Sequence, residues 1–286
     1  MKLSPRTVPY LQVAPLTLVL LVFLGVPFMV VTAVSFFEFD DFNVYPAFVL
    51  SNYIELFESK LTYTLYWNTI KYAVMVWAVT LVIGFTVSYF LVFHVRTLLW
   101  KIALFLLCTV PFWTSSVIRM ISWIPFLGRN GIFNQSLMAL GVVDQPLEFL
   151  LFSDFAVVVA YVHLFTLFMV VTLFNSMARI DPAVVEAAVD AGASRWQVIT
   201  QVIIPLSKTG IALGSIFVIA LVMGDFFVVK IMSGGQSASV VLAMSNEIAV
   251  LQYPPAAASA VVLVVVVSLM VAGILRIVDV RKELSG

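Results

Sequence analysis

Charge is scarce in this sequence. Of 286 residues, 15 are Lys or Arg and 15 are Asp or Glu, so 10% are charged while 63% are hydrophobic. An average soluble domain carries about a quarter charged residues. That shortage excludes an ordinary soluble fold. The balance of the two signs leaves a net charge of zero and no basic field for nucleic acid. Cysteine is nearly absent. The single Cys108 lies inside an apolar run, where it can form no intrachain disulfide and reads as a small buried hydrophobe. The two histidines, His94 and His163, are far apart and have no Cys or acid cluster beside them, which leaves no candidate metal site. A G-x-x-x-x-G-K-[ST] phosphate loop is missing, so the chain offers no nucleotide site of its own. Neither paired intramembrane acids nor a His-rich cluster supports an enzyme embedded in the membrane, and no catalytic residue is assigned.

What is present is a set of long apolar runs, with a mean hydropathy of +1.12. Crossing the hydrocarbon core takes about 20 apolar residues. Six stretches qualify, at 14–37, 69–93, 102–124, 154–176, 211–232 and 256–278. They are too long and too continuously apolar for the alternating strands of a barrel. The expected architecture is an all-α integral membrane protein of six transmembrane helices, forming one domain over 1–286. The first run is too long for the apolar part of a signal peptide, so it reads as an uncleaved span.

Lys and Arg set the orientation. With the N-terminus in the cytoplasm, Lys2, Arg6, Arg96, Lys101, Arg179, Arg195, Lys208, Arg276, Arg281 and Lys282 fall inside. Lys60, Lys71, Arg119, Arg129 and Lys230 fall outside or within spans. Six spans return the C-terminus to the cytoplasm. The first external loop, 38–68, is aromatic and acidic, with Glu38, Asp40, Asp41, Glu55 and Glu58. A second, 125–153, reads as a turn followed by a short amphipathic helix around Leu137, Leu140 and Gly141.

The third long break is cytoplasmic and begins DPAVVEAAVDAGASRWQV at Asp181. Asp181 is an N-cap and Pro182 a first helical residue. Ala183, Ala187 and Ala191 recur every four residues, and Ala188 widens this small-residue face. Glu186 and Asp190 sit one turn apart. Gly192 interrupts the helix. A second helical piece, 194–204, carries Arg195 and Trp196 and stops at Pro205. By periodicity alone this is either a plain amphipathic connector or a docking element.

Charges inside spans are costly and face a cavity or a partner. Arg119 lies in the third span and shares a face with Phe112, Ser116 and Trp123 at spacing 4, 3, 4. The polar and aromatic stripe suits a solute pathway. A structural ion pair is the alternative, and Asp225, the only acid deep in a span, is the expected partner. Asp225, Trp123 and Glu247 have the chemistry to hold a cationic amine. Pro27 and Pro111 are expected to kink their spans. The stretch MSGGQS at 232–237 looks like the signature of an ABC ATPase. It follows the fifth span on the external side, without a phosphate loop, so it reads as a turn at a span end.

The order Glu186-Ala187-Ala188, Gly192 and Val202-Ile203-Ile204-Pro205 resembles the EAA motif of ABC importer permeases, with Val202 and Ile204 as mild departures. VPFWTSSVIRMISWIPFLGRNGIFNQ and MGDFFV, the latter followed by a Gly-Gly pair, are similar to the membrane subunits of spermidine/putrescine importers. The resemblance implies a type I, MetI-like importer fold in a bacterial inner membrane, with a coupling segment at 181–205. It carries Glu186, Ala187, Ala188, Asp190, Gly192 and Arg195 over to contact with an ATPase, and leaves Ser116, Arg119, Trp123 and Asp225 as pathway candidates. The implied partners are a second homologous permease in a heterodimer, two ATPase subunits that bind ATP and Mg, and a periplasmic solute-binding protein. The chain itself would hold no cofactor. A carrier or channel driven by an ion gradient is the rival, and it calls for acids in several spans.

Overall fold

The computed structural model describes residues 8–40 and 43–278. Of the charges used for orientation, Lys2, Arg6, Asp41, Arg281 and Lys282 lie outside the described residues. Among the described residues the regular structure is helical apart from one short hairpin, β1 (Glu38–Phe39) paired antiparallel with β2 (Val44–Tyr45). In chain order the helices used below are α1 (Leu11–Val34), α2 (Ser51–Glu58), α3 (Lys60–His94), α4 (Leu98–Trp113), α5 (a string of short helices within Ser116–Ala139) and α6 (Asp154–Met177). They continue with α7 (Pro182–Asp190), α8 (Arg195–Leu206), α9 (Lys208–Met223), α10 (Phe227–Met232), α11 (Val240–Ala249) and α12 (Tyr253–Ile277). Among the described residues four helices, α1, α3, α6 and α12, are long and apolar enough to cross a membrane. Two bent pairs, α4 with α5 and α8 with α9, bring the number to as many as six.

Two of the expected spans are not continuous helices. The third, 102–124, breaks after Pro111. Proline cannot donate to the ladder and clashes with the preceding turn, and here Val110–Trp113 is a 3₁₀ turn. Thr114 is extended, and the Ser115 side chain accepts the Val117 N–H to start the next helix at a 91° bend. The fifth, 211–232, stops at Met223. Gly224–Phe226 is irregular, and α10 follows. Pro27 and Pro205 act more gently. A π-helical stretch lies just before each, Leu21–Gly25 and Val198–Ile203, where a proline removes a ladder donor. The chain therefore passes through Pro205 and stays helical to Leu206.

The chain packs as two compact units, Met1–Tyr63 with Ala243–Val265 and Thr64–Leu242 with Val266–Gly286. In the first, the loop after α1 is folded on itself. Buried Asn52 of α2 donates to the Ser35 and Phe37 carbonyls at 3.0 and 2.9 Å. Phe36 stacks on Phe48 with ring centres 4.7 Å apart.

In the second unit the core lies where α6 meets α9. Small residues let these helices approach closely, which is how apolar helices associate when burial from water offers no drive. A Cβ added at Gly210 would lie 2.4 Å from the Ser176 Cβ, and one at Gly214 would lie 2.5 Å from the Met169 sulfur. Two polar bonds bind α3 to the same core: Ser88 Oγ donates to the Val170 carbonyl at 3.0 Å, and the Trp77 indole donates to Ser215 Oγ at 2.7 Å. In the last helical piece of α5, Ile132–Ala139, buried Asn134 clasps the chain through the Gly128 and Leu147 carbonyls and the Leu147 N–H.

Candidate functional site

Two places in the second unit concentrate the residues singled out above. The first is the elbow formed by α7 and α8. Asp181 Oδ1 accepts the Ala183 N–H at 2.9 Å and Pro182 follows as the first helical residue, so α7 starts as its sequence requires. It ends on Gly192, at φ +85°. The Gly192 N–H reaches the Val189 carbonyl at 2.9 Å, and the Ala193 N–H reaches that of Ala188 at 3.0 Å. This left-handed closure satisfies carbonyls that the helix end would leave open. A Cβ at Gly192 would meet nothing within 4 Å, so the backbone angle alone selects glycine. Ser194 and Gln197 then cap one another, with the Ser194 N–H donating to Gln197 Oε1 at 2.8 Å.

Val198 and Ile203 bury one side of α8, but α7 buries no residue at all. Glu186, Ala187, Asp190, Gly192 and Arg195 are exposed and Ala188 is half-buried. Trp196 is 71% exposed and Val189 56%. No ion pair among the described residues uses Glu186, Asp190 or Arg195. The elbow is thus hydrogen-bonded at each of its turns and, among the described residues, unpartnered on its outer face.

The second place is a cavity of 410 Å³ lined by Phe112, Ser116, Arg119, Phe165, Phe168 and Asp225, among others. Arg119 is 9% exposed, and its guanidinium carbon lies 4.5 Å from the centre of the Phe112 ring. Its Nε and Nη1 have no hydrogen-bond partner among the described residues. Asp225 Oδ1 accepts the Val228 N–H at 2.9 Å and the Tyr161 hydroxyl at 3.2 Å.

The expected ion pair between Arg119 and Asp225 is not formed. The helix break after Met223 turns Asp225 toward the open N–H groups of α10, and Tyr161 takes the same oxygen. Trp123 also departs from expectation. A turn at Ser122, whose hydroxyl donates to the Arg119 carbonyl at 2.6 Å, separates it from the Arg119 helix. Its indole N–H goes to His163 Nδ1 at 3.0 Å. The structure therefore brings Ser116, Arg119 and Asp225 to one cavity and leaves Trp123 outside its lining.

Sequence reasoning missed Tyr161, Phe165 and Phe168. They belong to α6, which is apolar all round, so periodicity marks no face. It also gave no role to Lys71, Tyr72, Asp154 and Ser237. Tyr72 donates to Asp154 and pairs with Ser237 Oγ at 2.6 Å. The MSGGQS stretch is the turn containing Ser237, with Gly234 and Gly235 at φ +59° and +80°.

Comparison with known proteins gives the family and the fold. The family model described as "Binding-protein-dependent transport system inner membrane component" matches residues 98–283. The spermidine/putrescine transport system permease protein PotB of Escherichia coli (strain K12) is 36% identical over 237 residues, 82% of either chain. PotB of Haemophilus influenzae is 32% identical over 230 residues, 80% of this chain and 78% of its own. Among solved structures, a chain of a bacterial alginate ABC transporter in complex with an alginate pentasaccharide-bound periplasmic protein superimposes with a TM-score of 0.72. That match covers 93% of this chain and 92% of the other at 17% identity, and so speaks to the fold. The chain is a multi-pass member of the family of inner membrane components of binding-protein-dependent transport systems.

Proposed function

We propose that this permease subunit works in an ATP-driven importer and meets its motor through the elbow at 181–205. The observation that carries this reading is a helix capped at both ends that buries none of its own residues. A capped, ordered surface with apolar Val184, Val189 and Trp196 beside Glu186 and Asp190 is a protein-docking surface. The small residues Ala183, Ala187 and Ala191 permit close approach. The acids meet basic or amide groups of the ATPase, Gly192 sets the angle between the two helices, and Arg195 opens the second.

On this reading ATP and Mg belong to two ATPase subunits, and this chain holds no cofactor and performs no reaction. Both of its termini are cytoplasmic, and a second, different but homologous permease completes the membrane unit. A periplasmic binding protein delivers the solute. Closure of the ATPases moves the elbow as a rigid body, and the spans alternate between outward and inward access. Ser116, Arg119 and Asp225 line the path. The solute is a polyamine or a related small organic amine, a reading supported by the identity with the spermidine/putrescine permeases.

The test is Glu186→Lys in the assembled transporter. We expect loss of the co-purifying ATPase or of uptake, with the spans still inserted and folded. Normal uptake by this variant rejects the docking role.

A further inference from the structure

The cavity at Arg119 contains an unmet demand. A guanidinium is always charged and presents five donors. Burying it without acceptors is costly, yet here it is nine-tenths buried with Nε and Nη1 unpartnered. The nearest acid in the same lining, Asp225, commits Oδ1 to Val228 and Tyr161. The Phe227 N–H also serves this carboxylate. The walls between are aromatic, with Phe112, Phe165 and Phe168. The lining thus offers two donors on a cation, a carboxylate with acceptor capacity beyond these bonds and ring faces that suit methylenes or an ammonium.

We infer that this cavity takes a solute bearing both an ammonium and an oxygen acceptor, an ω-amino carboxylate or its equivalent, in preference to a bare polyamine. This rests on the reading of the chain as an importer permease whose pathway includes the cavity. The acceptor goes to Arg119, the ammonium to the Asp225 carboxylate, and the chain between them lies along the phenylalanines. Charge then balances inside the membrane: one cation and one anion from the protein face one of each from the solute. A bare diamine satisfies Asp225 but brings a second cation beside an unpaired guanidinium, and that repulsion works as a filter.

The test uses the assembled transporter in lipid nanodiscs without its binding protein, so that only the membrane site is read. The probes are radiolabelled 4-aminobutyrate and putrescine, matched in length and differing at one end. In the wild type, 4-aminobutyrate should bind at least about tenfold tighter than putrescine, the least that a lost charged hydrogen bond is worth. Arg119→Gln should abolish that preference by weakening 4-aminobutyrate and strengthening putrescine. Arg119→Lys, which keeps the charge and serves as the folding control, should retain part of it. Asp225→Asn should weaken both probes.

Tighter binding of putrescine by the wild type, no effect of Arg119→Gln, or no binding of either probe overturns the inference. So does loss of the second permease from purified Arg119→Gln with probe binding unchanged, because the acceptor would then come from the partner. The importer reading is scored separately, by stimulation of wild-type ATPase with loaded binding proteins. If that stimulation is absent, the importer reading fails whatever the probes do.

Discussion

Lys71 and Asp154 form an ion pair of 2.7 Å that ties α3 to the first residue of α6. Their side chains are 29% and 46% exposed, so the charge attraction itself is worth under about 1 kcal/mol. The same carboxylate also accepts the hydroxyl of Tyr72, which is buried and shares its oxygen with Ser237. Asp154 therefore fixes three elements: α3, α6 and the loop after α10. Asp154→Ala should lower stability by about 1–2 kcal/mol, chiefly through Tyr72 losing an acceptor. Lys71→Met should cost less, and Asp154→Asn, which leaves Tyr72 an acceptor, should lie between. Thermal unfolding of the purified transporter ranks the three. If Lys71→Met proves as damaging as Asp154→Ala, the charge and not the Tyr72 bond is the main tie.

Gly192 should tolerate asparagine but not leucine. At φ +85° a residue with a Cβ is strained by about 1–2 kcal/mol, and asparagine is the side chain that best accepts this region. Since the space around the position is open, any loss in Gly192→Leu reports the backbone angle of the elbow. The measurement is the amount of ATPase that co-purifies with the permease. Full retention with leucine would mean that the bend between α7 and α8 does not position the docking surface.

The elbow was legible in the sequence because its signals are local and polar. Asp181 before Pro182 and a glycine where the helix stops each specify one hydrogen-bonded turn, while the Ser194–Gln197 capping box was a local signal left unread. The spans were legible as apolar runs and Pro111 marked a kink in the third, but the complete break there and the one inside the fifth run were not. Hydropathy does not register that Pro111 followed by Thr114 and Ser115 ends one helix and caps the next, or that Gly224 and Asp225 do the same inside the fifth run. Those breaks decide the site. Ser116, Arg119 and Asp225 stood out because polar groups are rare in spans, and the cavity joins them. The Arg119–Asp225 pairing failed because the nearest opposite charge competed with a helix start and a tyrosine hydroxyl, neither of which opposite signs alone reveal.

Gly210→Ala should destabilise the second unit by forcing α6 and α9 apart. The new Cβ would lie 2.4 Å from the Ser176 Cβ and 2.7 Å from the Thr172 backbone carbonyl, and a backbone atom cannot swing aside. Separating α6 from α9 should cost at least the 1–3 kcal/mol, roughly, of an overpacked core. Gly273→Ala is the matched control, because a Cβ there meets nothing within 4 Å and alanine favours helix by about 1 kcal/mol. A lower unfolding temperature for the first and an unchanged or higher one for the second is the expected pair. Equal behaviour of the two variants would mean that the close approach of α6 and α9 does not limit stability.

Glu247, on the short helix α11 between the last two spans, should make stability depend on acidity. Burial raises its carboxyl above the usual range, and its Oε2 is buried without a hydrogen-bond partner. The folded state therefore holds the proton more tightly than the unfolded chain. A folded state that binds more protons loses stability as pH rises. The advantage is complete below the ordinary glutamate value of about 4.3 and fades as pH climbs through the raised value in the fold. Glu247→Gln mimics the protonated form at every pH. Unfolding temperatures of wild type and Glu247→Gln should converge at acid pH and separate toward neutrality, with the variant the more stable. A wild type that stays as stable as the variant at neutral pH would show that the carboxylate finds a cationic partner in the assembled transporter.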